Sequence, residues 1–270
     1  MKTDKIKNDI TVILPVHELD DTTKALFEVA VKSIANQKTR PDAVIIVTPK
    51  GSDAEKYLNA FDYEGIKDIT TVLPNPEKTD FSSQVNYAVE NVKTGWFSIL
   101  EFDDQYASTW FQNVMTYREA YDDVKMFLPI IIDVDYNGAF IGLTNSAVWA
   151  KTFSDEQGFL DNNALLNNSP NFNFDGMVME VATYKELGGI KASMKLTFIY
   201  EFLLRMTFKD VKIMTIPKWG YKHVNQREGS LFNNYRKELN PIEANWWMSQ
   251  AKKEYYFPHD REITYEAETA

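Results

Sequence analysis

Short apolar runs rich in β-branched residues alternate with amphipathic segments along the first hundred residues of the chain. Four such runs, each closed by proline, glycine or polar residues, predict buried strands over 10–14, 43–47, 69–73 and 96–100. Apolar residues at helical spacing predict helices over 22–37 and 81–92. Strands and helices that alternate at these short intervals are typical of an α/β fold, in which helices cover both faces of a mostly parallel sheet.

The second half of the chain predicts a smaller and more mixed region. A strand is expected over 124–132, and Asn137-Gly138 predicts a hairpin turn with a return strand over 139–143. The other expected elements are an irregular excursion over 155–174, helices over 183–187 and 197–208, a strand over 211–216 that ends at Pro217, and a helix over 241–256. This half therefore differs in character from the regular first half.

The composition restricts the classes of function. The chain has no cysteine, which excludes disulfides, thiolate metal sites and cysteine nucleophiles. The mixed-charge N-terminus and the absence of a long apolar run predict a soluble protein without a membrane anchor, and the absence of cysteine fits the reducing cytoplasm. The net charge of −10 opposes non-specific binding to nucleic acid or anionic membranes, and a polyphosphate ligand would need a cation or local basic groups.

Three carboxylates follow the fourth predicted strand within four residues: Glu101, Asp103 and Asp104. Ligands of an open parallel sheet bind beyond the carboxyl ends of its strands, where we expect these acids to meet the loops 15–18 and 48–53. Carboxylates at such short distances repel each other, and a divalent cation relieves the repulsion. Their oxygens are the ligands that Mg²⁺ and Mn²⁺ prefer. The alternative is that the acids cap a helix that begins near Ser108.

Several segments, in this order and spacing, resemble the family 2 glycosyltransferases of the GT-A fold. They are residues 10–17, 30–37, 43–47, 84–88 and 95–104, with looser similarity over 180–235. The resemblance implies a Rossmann-like, three-layer α/β/α sandwich with a mostly parallel sheet, a smaller mixed region on the acceptor side and a C-terminal helical extension. It also implies one domain over 1–235, composed of a nucleotide-sugar-binding half (1–110) and an acceptor or catalytic half (111–235), followed by an extension and tail over 236–270.

The resemblance further implies roles for individual residues. Asp103 would ligate the Mn²⁺ or Mg²⁺ on the donor diphosphate, and His223 would complete the metal shell. The expected donor contacts are Pro15, His17, Glu18, Lys50, Asn86, Glu101, Asp104, Lys222 and Arg227. Members of the family commonly carry an acidic pair before the Gly-Ser that follows the second strand, whereas this chain has Pro49 and Lys50 there.

Glu201 is the expected catalytic base. Gly188-Gly189 followed by a helix resembles the part of the family that supplies a carboxylate to remove the acceptor proton. With Arg205 as the anchor, the usual Glu-Asp pair falls on Phe198-Ile199, and Glu201 is the nearby carboxylate. The alternative is a surface ion pair between Glu201 and Arg205, one helical turn apart, worth about 0.3–0.5 kcal/mol.

These features predict metal-dependent transfer of a sugar from a nucleotide-diphosphate sugar, most simply a UDP-sugar, to an acceptor hydroxyl, with inversion implied by the resemblance. The acceptor stays open between a glycan, a protein, a small molecule and a modified DNA base of the phage type, so nucleic acid is expected only as an acceptor. A nucleotidyltransferase is disfavoured because residues 16–21 lack a glycine-rich basic loop. A catalytically degenerate GT-A domain that binds a sugar or a partner is the alternative outside enzymes.

Overall fold

The computed structural model describes residues 8–17, 19–76, 80–150, 156–168, 171–225 and 240–253. The strands are β1 (Ile10–Pro15), β2 (Ala43–Pro49), β3 (Thr70–Asn75), β4 (Trp96–Ile99), β5 (Gln105–Tyr106), β6 (Met126–Val134), β7 (Phe140–Thr144), β8 (Val178–Glu180) and β9 (Ile213–Val224). The helices are α1 (Asp21–Ala35), α2 (Asp53–Ala60), α3 (Phe81–Glu90), α4 (Trp110–Ala120), α5 (Asn162–Asn168), α6 (Val181–Glu186), α7 (Phe198–Phe208) and α8 (Pro241–Lys252). Within these segments, no helix has the length and apolar character needed to cross a bilayer.

The described strands form one nine-stranded sheet in the order β3-β2-β1-β4-β8-β6-β9-β5, with β7 paired to β6. Strands β1 to β4 run parallel to one another. Because β8 is antiparallel to both β4 and β6, β6 runs in the same direction as β4, and β9 is parallel to β6. Strands β5, β7 and β8 run the opposite way. The structure thus confirms a mostly parallel sheet with a mixed region at one side.

Helices cover both faces of the sheet, as predicted. Along β1, Val12 and Leu14 belong to one buried core cluster and Ile13 to the other, since successive side chains of a strand point to opposite faces. The first cluster includes Phe27 of α1, and the second includes Phe202 of α7. Two apolar cores on opposite faces make the molecule a three-layer α/β/α structure.

Strand β9 extends beyond its predicted end. The proline at 217 was expected to terminate the strand, but β9 continues through it to Val224. The pairing between β6 and β9 shifts register between Leu128 and Ile131, opposite the segment that contains Pro217. A proline is tolerated in a strand at such an irregularity because no ladder hydrogen bond from its nitrogen is needed there. The extension places His223 in register with Asp133 of β6.

A short helix lies inside the stretch predicted to be irregular. Residues 162–168 form α5, so the prediction over 155–174 is wrong for this part. The Asp161 carboxylate accepts a hydrogen bond from the Ala164 N–H at 2.6 Å, and Leu165 is buried in the core. The capping Asp161 and the buried Leu165 stabilise α5 within this asparagine-rich segment.

Candidate active site

Three side chains from distant parts of the sequence converge beyond the carboxyl end of β4. Asp104, Asp175 and His223 each offer a ligand atom, and these atoms all lie within 4.8 Å of one another. Asp104 lies in the turn after β4, Asp175 precedes β8, and His223 lies on the extended part of β9. We call these three residues the acidic cluster. Its position agrees with the general rule for ligand sites in parallel sheets.

The orientation of Asp104 is fixed by hydrogen bonds to both carboxylate oxygens. The Tyr221 hydroxyl donates to Oδ2 at 2.9 Å, and the Val224 N–H donates to Oδ1 at 2.8 Å. The same hydroxyl accepts a hydrogen bond from the Glu101 N–H at 3.1 Å. Helix α4 begins at Trp110, and its N-cap residue makes no side-chain cap hydrogen bond. Asp104 therefore faces the cluster, and none of the three acids after β4 is the N-cap residue of α4, which is Thr109.

A carboxylate on β6 orients His223. Its Nδ1 lies 2.9 Å from Asp133 Oδ1, and Asp133 Oδ2 accepts a hydrogen bond from the Thr144 hydroxyl at 2.8 Å. This partner favours the imidazole form with the proton on Nδ1, which leaves the Nε2 lone pair available to a ligand. Carboxylate–histidine pairs of this kind are common beside metal ions.

Asp175 is buried, with 2% of its surface exposed. The Asn173 side-chain amide donates to Oδ2 of Asp175. The other oxygen, Oδ1, accepts no hydrogen bond from a backbone N–H, an amide or a hydroxyl group among the described residues. A side-chain hydrogen bond with the Glu101 carboxyl also lowers the pKa of Asp175, which requires a proton between the two acids. Burial of a charged oxygen without a donor costs free energy, and either a proton or a cation would remove that cost. Asp175 therefore points to a bound proton or cation in the cluster.

Burial and mutual repulsion shift the acids of the site toward their protonated forms. Burial raises the pKa of Glu101 well above its usual value, and the charges of Asp175, Asp104 and Asp103 raise it further. Burial also raises the pKa of Asp104 to about 8 and that of Asp175 to about 6, although His223 opposes both shifts. The pKa of His223 lies well above its usual value because the acids, Asp104 foremost, outweigh the opposing effect of burial. Protons in the metal-free cluster thus balance part of the negative charge.

The donor set of the cluster fits a divalent cation. Two carboxylates and one imidazole offer ligand atoms close to one another, and among the described residues Oδ1 of Asp175 is buried without a backbone N–H, amide or hydroxyl donor. Carboxylate oxygens suit Mg²⁺ and Mn²⁺, and the imidazole nitrogen favours Mn²⁺ over Mg²⁺. Asp103, the ligand predicted from the sequence, is buried beside the cluster but is not one of these three residues.

Comparison with known sequences identifies the family. The sequence profile of glycosyl transferase family 2 matches residues 11–187, which include β1 from its second residue onward, β2 to β4, the turn with Asp104, and Asp175. The chain belongs to glycosyl transferase family 2. No curated protein sequence is significantly similar to it.

Solved structures similar to this family 2 chain include those of S. aureus TarS. TarS 1–349 in complex with UDP-GlcNAc has a TM-score of 0.63 and 15% identity, over 91% of this chain and 66% of TarS 1–349. TarS 1–349 in complex with UDP has a TM-score of 0.59 and 14% identity, over 92% of this chain and 72% of that one. A further TarS structure has a TM-score of 0.59 and 13% identity, over 90% of this chain and only 42% of its own. The TM-scores show a shared GT-A fold, and at identities this low the similarity supports the fold alone.

Three predicted donor contacts lie at or just after the carboxyl ends of β1 and β2. Pro15 ends β1 and is buried, whereas Lys50 is exposed in the turn after β2. His17 is exposed, and the edge of its ring packs on Phe102, with ring centroids 5.4 Å apart. The predicted contacts Glu18 and Arg227 lie outside the described residues.

Lys222 lies on β9 between Tyr221 and His223, and it is in register with Gln105 of β5. Because successive side chains of a strand alternate, Lys222 points to the face opposite the two residues that border the cluster. This orientation disfavours the predicted contact between Lys222 and the donor diphosphate.

The side chain of Asn86 forms hydrogen bonds with other residues of the protein. Its Oδ1 accepts hydrogen bonds from the Ile190 N–H, at 3.0 Å, and from the Tyr184 hydroxyl, and its Nδ2 donates to the Ile190 carbonyl at 2.8 Å. These bonds join α3 to the turn that contains Gly189, where a Cβ would overlap the Asn86 side chain. The side chain predicted to contact the donor therefore holds this turn in place.

Glu201 lies in a buried ion-pair network. Arg205 Nε and Nη2 donate to its two oxygens at 3.0 and 2.8 Å, and Lys191 Nζ lies 3.0 Å from Oε1. Only 2% of the Glu201 side chain is exposed, so the predicted surface pair with Arg205 is in fact buried. Arg205 also donates to the carbonyls of Leu187 and Gly189. Because cations occupy both oxygens of Glu201, the geometry disfavours its predicted role as the base.

The sequence analysis missed two acids, Asp133 and Asp175, and a tyrosine, Tyr221. The available signal for Asp175 is the Asp-Gly dipeptide directly before an apolar run. Gly176 has a φ of +71°, and a Cβ there would overlap the Tyr221 ring. The Gly176 carbonyl accepts a hydrogen bond from Trp110 Nε1 at 2.8 Å. A glycine is thus required directly after Asp175, and the backbone beside the acid is fixed.

Proposed function

We propose that the chain transfers a sugar from a UDP-sugar to an acceptor hydroxyl, with a divalent cation held by the acidic cluster. The observation that carries this proposal is the convergence of Asp104, Asp175 and His223 at the carboxyl end of β4. Membership of glycosyl transferase family 2 supports sugar transfer. The TarS structures in complex with UDP-GlcNAc and UDP support UDP as the donor nucleotide.

The chain's own residues have defined tasks in this proposal. Tyr221 and the Val224 N–H hold Asp104, and Asp133 holds His223, so that the ligand atoms are in place before the donor arrives. Asp103, beside the cluster, is proposed to complete the ligand set. A bound Mn²⁺ or Mg²⁺ would stabilise the charge that develops on the leaving diphosphate. A chain with a net charge of −10 needs a cation or local basic groups at a diphosphate site, and the cluster would supply the cation.

Release of UDP from a panel of UDP-sugars, with and without Mn²⁺, tests the proposal. Each donor is supplied with candidate acceptors, and UDP-GlcNAc is tried first. We expect Mn²⁺-dependent release that disappears in Asp104→Asn and Asp175→Asn. Asp122→Asn changes an exposed acid outside the cluster and serves as the matched control. Release that is independent of metal, or unchanged in both cluster variants, would contradict the proposal.

A catalytically degenerate GT-A domain that binds a nucleotide sugar or a partner is the second candidate. It is favoured because Phe198 and Ile199 occupy the two positions where the family resemblance implies a pair of acidic residues. Phe198 is buried there and packs on Phe81, with ring centroids 5.6 Å apart, and Ile199 follows it. This candidate predicts UDP-sugar binding without turnover, and equally tight binding by the Asp104→Asn variant.

A further inference from the structure

A chain of hydrogen bonds connects the acidic cluster to the end of β7. It begins at Asn145, which is fully buried and has a φ of +68°. Asparagine is one of the few residues other than glycine that adopt this left-handed conformation readily. The backbone turns sharply there, and the Asn145 N–H donates to the carbonyl of Asn171 at 2.9 Å.

The side chain of Asn145 fixes the backbone of Asn173. Its Nδ2 donates to the carbonyls of Pro129 and Asn173 at 3.0 and 2.8 Å. Its Oδ1 accepts a hydrogen bond from the Asn173 N–H at 2.8 Å. Both backbone groups of Asn173 are therefore held by one buried amide, which is itself attached to β6 through Pro129.

The side chain of Asn173 then contacts Asp175. Its Nδ2 donates to Asp175 Oδ2, and its Oδ1 accepts a hydrogen bond from the Asp175 N–H at 3.3 Å. The contacts of Asn173 with Asn145 use its backbone, and those with Asp175 use its side chain. A substitution of the Asn173 side chain can therefore remove the second set and keep the first.

We propose that Asn173, anchored by Asn145, is a positioning residue that holds Oδ2 of Asp175 and so directs Oδ1 to the cation. This inference rests on the proposed metal site. It is carried by the position of Asp175 among the three converging side chains and by its buried Oδ1, which has no backbone N–H, amide or hydroxyl donor among the described residues. A metal ligand that is already oriented by a hydrogen-bond partner loses less conformational entropy when the ion binds. Removal of the partner therefore weakens metal affinity.

Titration of Mn²⁺ into the whole protein by calorimetry tests the inference. We expect Asn173→Ala to weaken Mn²⁺ binding roughly 10–100-fold, as is typical for loss of a partner that orients a ligand. Asn171→Ala is the matched control, because the Asn171 side chain is exposed and only its carbonyl contacts Asn145. We expect wild-type affinity for this control.

A double-mutant cycle separates positioning from a general loss of structure. If Asn173 acts through Asp175, Asn173→Ala will not weaken Mn²⁺ binding further in an Asp175→Ala background. Additive effects, or a lower melting temperature in EDTA with unchanged Mn²⁺ affinity of the folded protein, would overturn the inference. Absence of Mn²⁺ binding by the wild type would overturn the proposed metal site as well. Binding that depends on Asp175 but not on Asn173 would overturn the positioning role alone.

Discussion

Asp104 and Asp175 belong to the same cluster, but their oxygens are used differently. Both oxygens of Asp104 accept hydrogen bonds from the chain, whereas Oδ1 of Asp175 has no backbone N–H, amide or hydroxyl donor among the described residues, and Asp175 shares a hydrogen bond with the Glu101 carboxyl. Both carboxyls have a raised pKa, to about 8 and about 6. The proton balance of the site should therefore appear in how the stability of the metal-free protein depends on pH.

We predict that the metal-free protein loses stability as the pH rises from 6 to 8. Between the ordinary aspartate pKa of 3.8 and the folded value of about 8, Asp104 binds more protons in the folded state than in the unfolded state. The free energy of unfolding therefore falls as pH rises through this window. Melting temperatures in EDTA at the two pH values measure the effect, and Mn²⁺ should raise the melting temperature more at pH 8.

The Asp104→Asn variant is the control for this prediction, because other groups also titrate in the same window. Its metal-free melting temperature should depend less on pH than that of the wild type. An equal pH dependence in the variant and the wild type would contradict the assigned pKa shift of Asp104.

Gly176 should be intolerant of a side chain. Gly176→Ala places a Cβ against the Tyr221 ring at a φ of +71°. The backbone strain alone costs about 1–3 kcal/mol, and the overlap adds to it. Gly51→Ala is the matched control, since Gly51 has a φ of +77° but no atom within 4 Å of the added Cβ. Urea unfolding should show a larger loss of stability for Gly176→Ala, and equal losses would argue against the close packing on Tyr221.

At the scale of the elements, Arg205 of α7 joins this helix to the turn over 187–189 by donating to the carbonyls of Leu187 and Gly189, and it is paired with Glu201 of the same helix. Loss of one partner leaves a charge buried without its counterion, so Glu201→Ala should lower the free energy of unfolding by about 3–5 kcal/mol. Lys191 is more exposed, and Lys191→Ala should cost only about 0–1 kcal/mol. Denaturant unfolding measures both effects. Unchanged stability together with complete loss of transfer in Glu201→Ala would instead support the role as the base.

The regular first half of the fold was predictable because its local signals agree with one another. The apolar runs of β1 to β4 lie within one or two residues of their predicted bounds. The continuation of β9 through Pro217 was not predictable from the sequence. It depends on pairing with β6, a strand distant in the sequence, across an irregular register.

The site was predictable only in its local part. Glu101, Asp103 and Asp104 lie within four residues at a strand end, and this local signal indicated the edge of the sheet where the cluster lies, although the predicted ligand was Asp103 and the converging residue is Asp104. Asp175 and Asp133 join them only through the sheet order β4-β8-β6-β9, which no local pattern specifies. The role predicted for Glu201 depended on its spacing from Arg205, and spacing gives no information about burial.

At the scale of the whole molecule, the cluster draws on both predicted halves of the chain. Asp104 comes from the part proposed to hold the nucleotide sugar, and Asp175 and His223 come from the part proposed to hold the acceptor. The antiparallel strand β8 lies between β4 and β6 and links the two parts within one sheet. Donor and acceptor would thus meet where the regular and the mixed regions of the sheet join.

Titration of Mn²⁺ in the presence and absence of UDP, for the wild type and for Asp104→Asn and Asp175→Asn, tests the central claim most directly. The account predicts that the wild type binds Mn²⁺, that UDP tightens this binding, and that each variant weakens it more than roughly 100-fold, beyond the loss expected for an orienting partner. Wild-type protein that takes up no Mn²⁺, or variants that bind it as tightly as the wild type, would contradict the account.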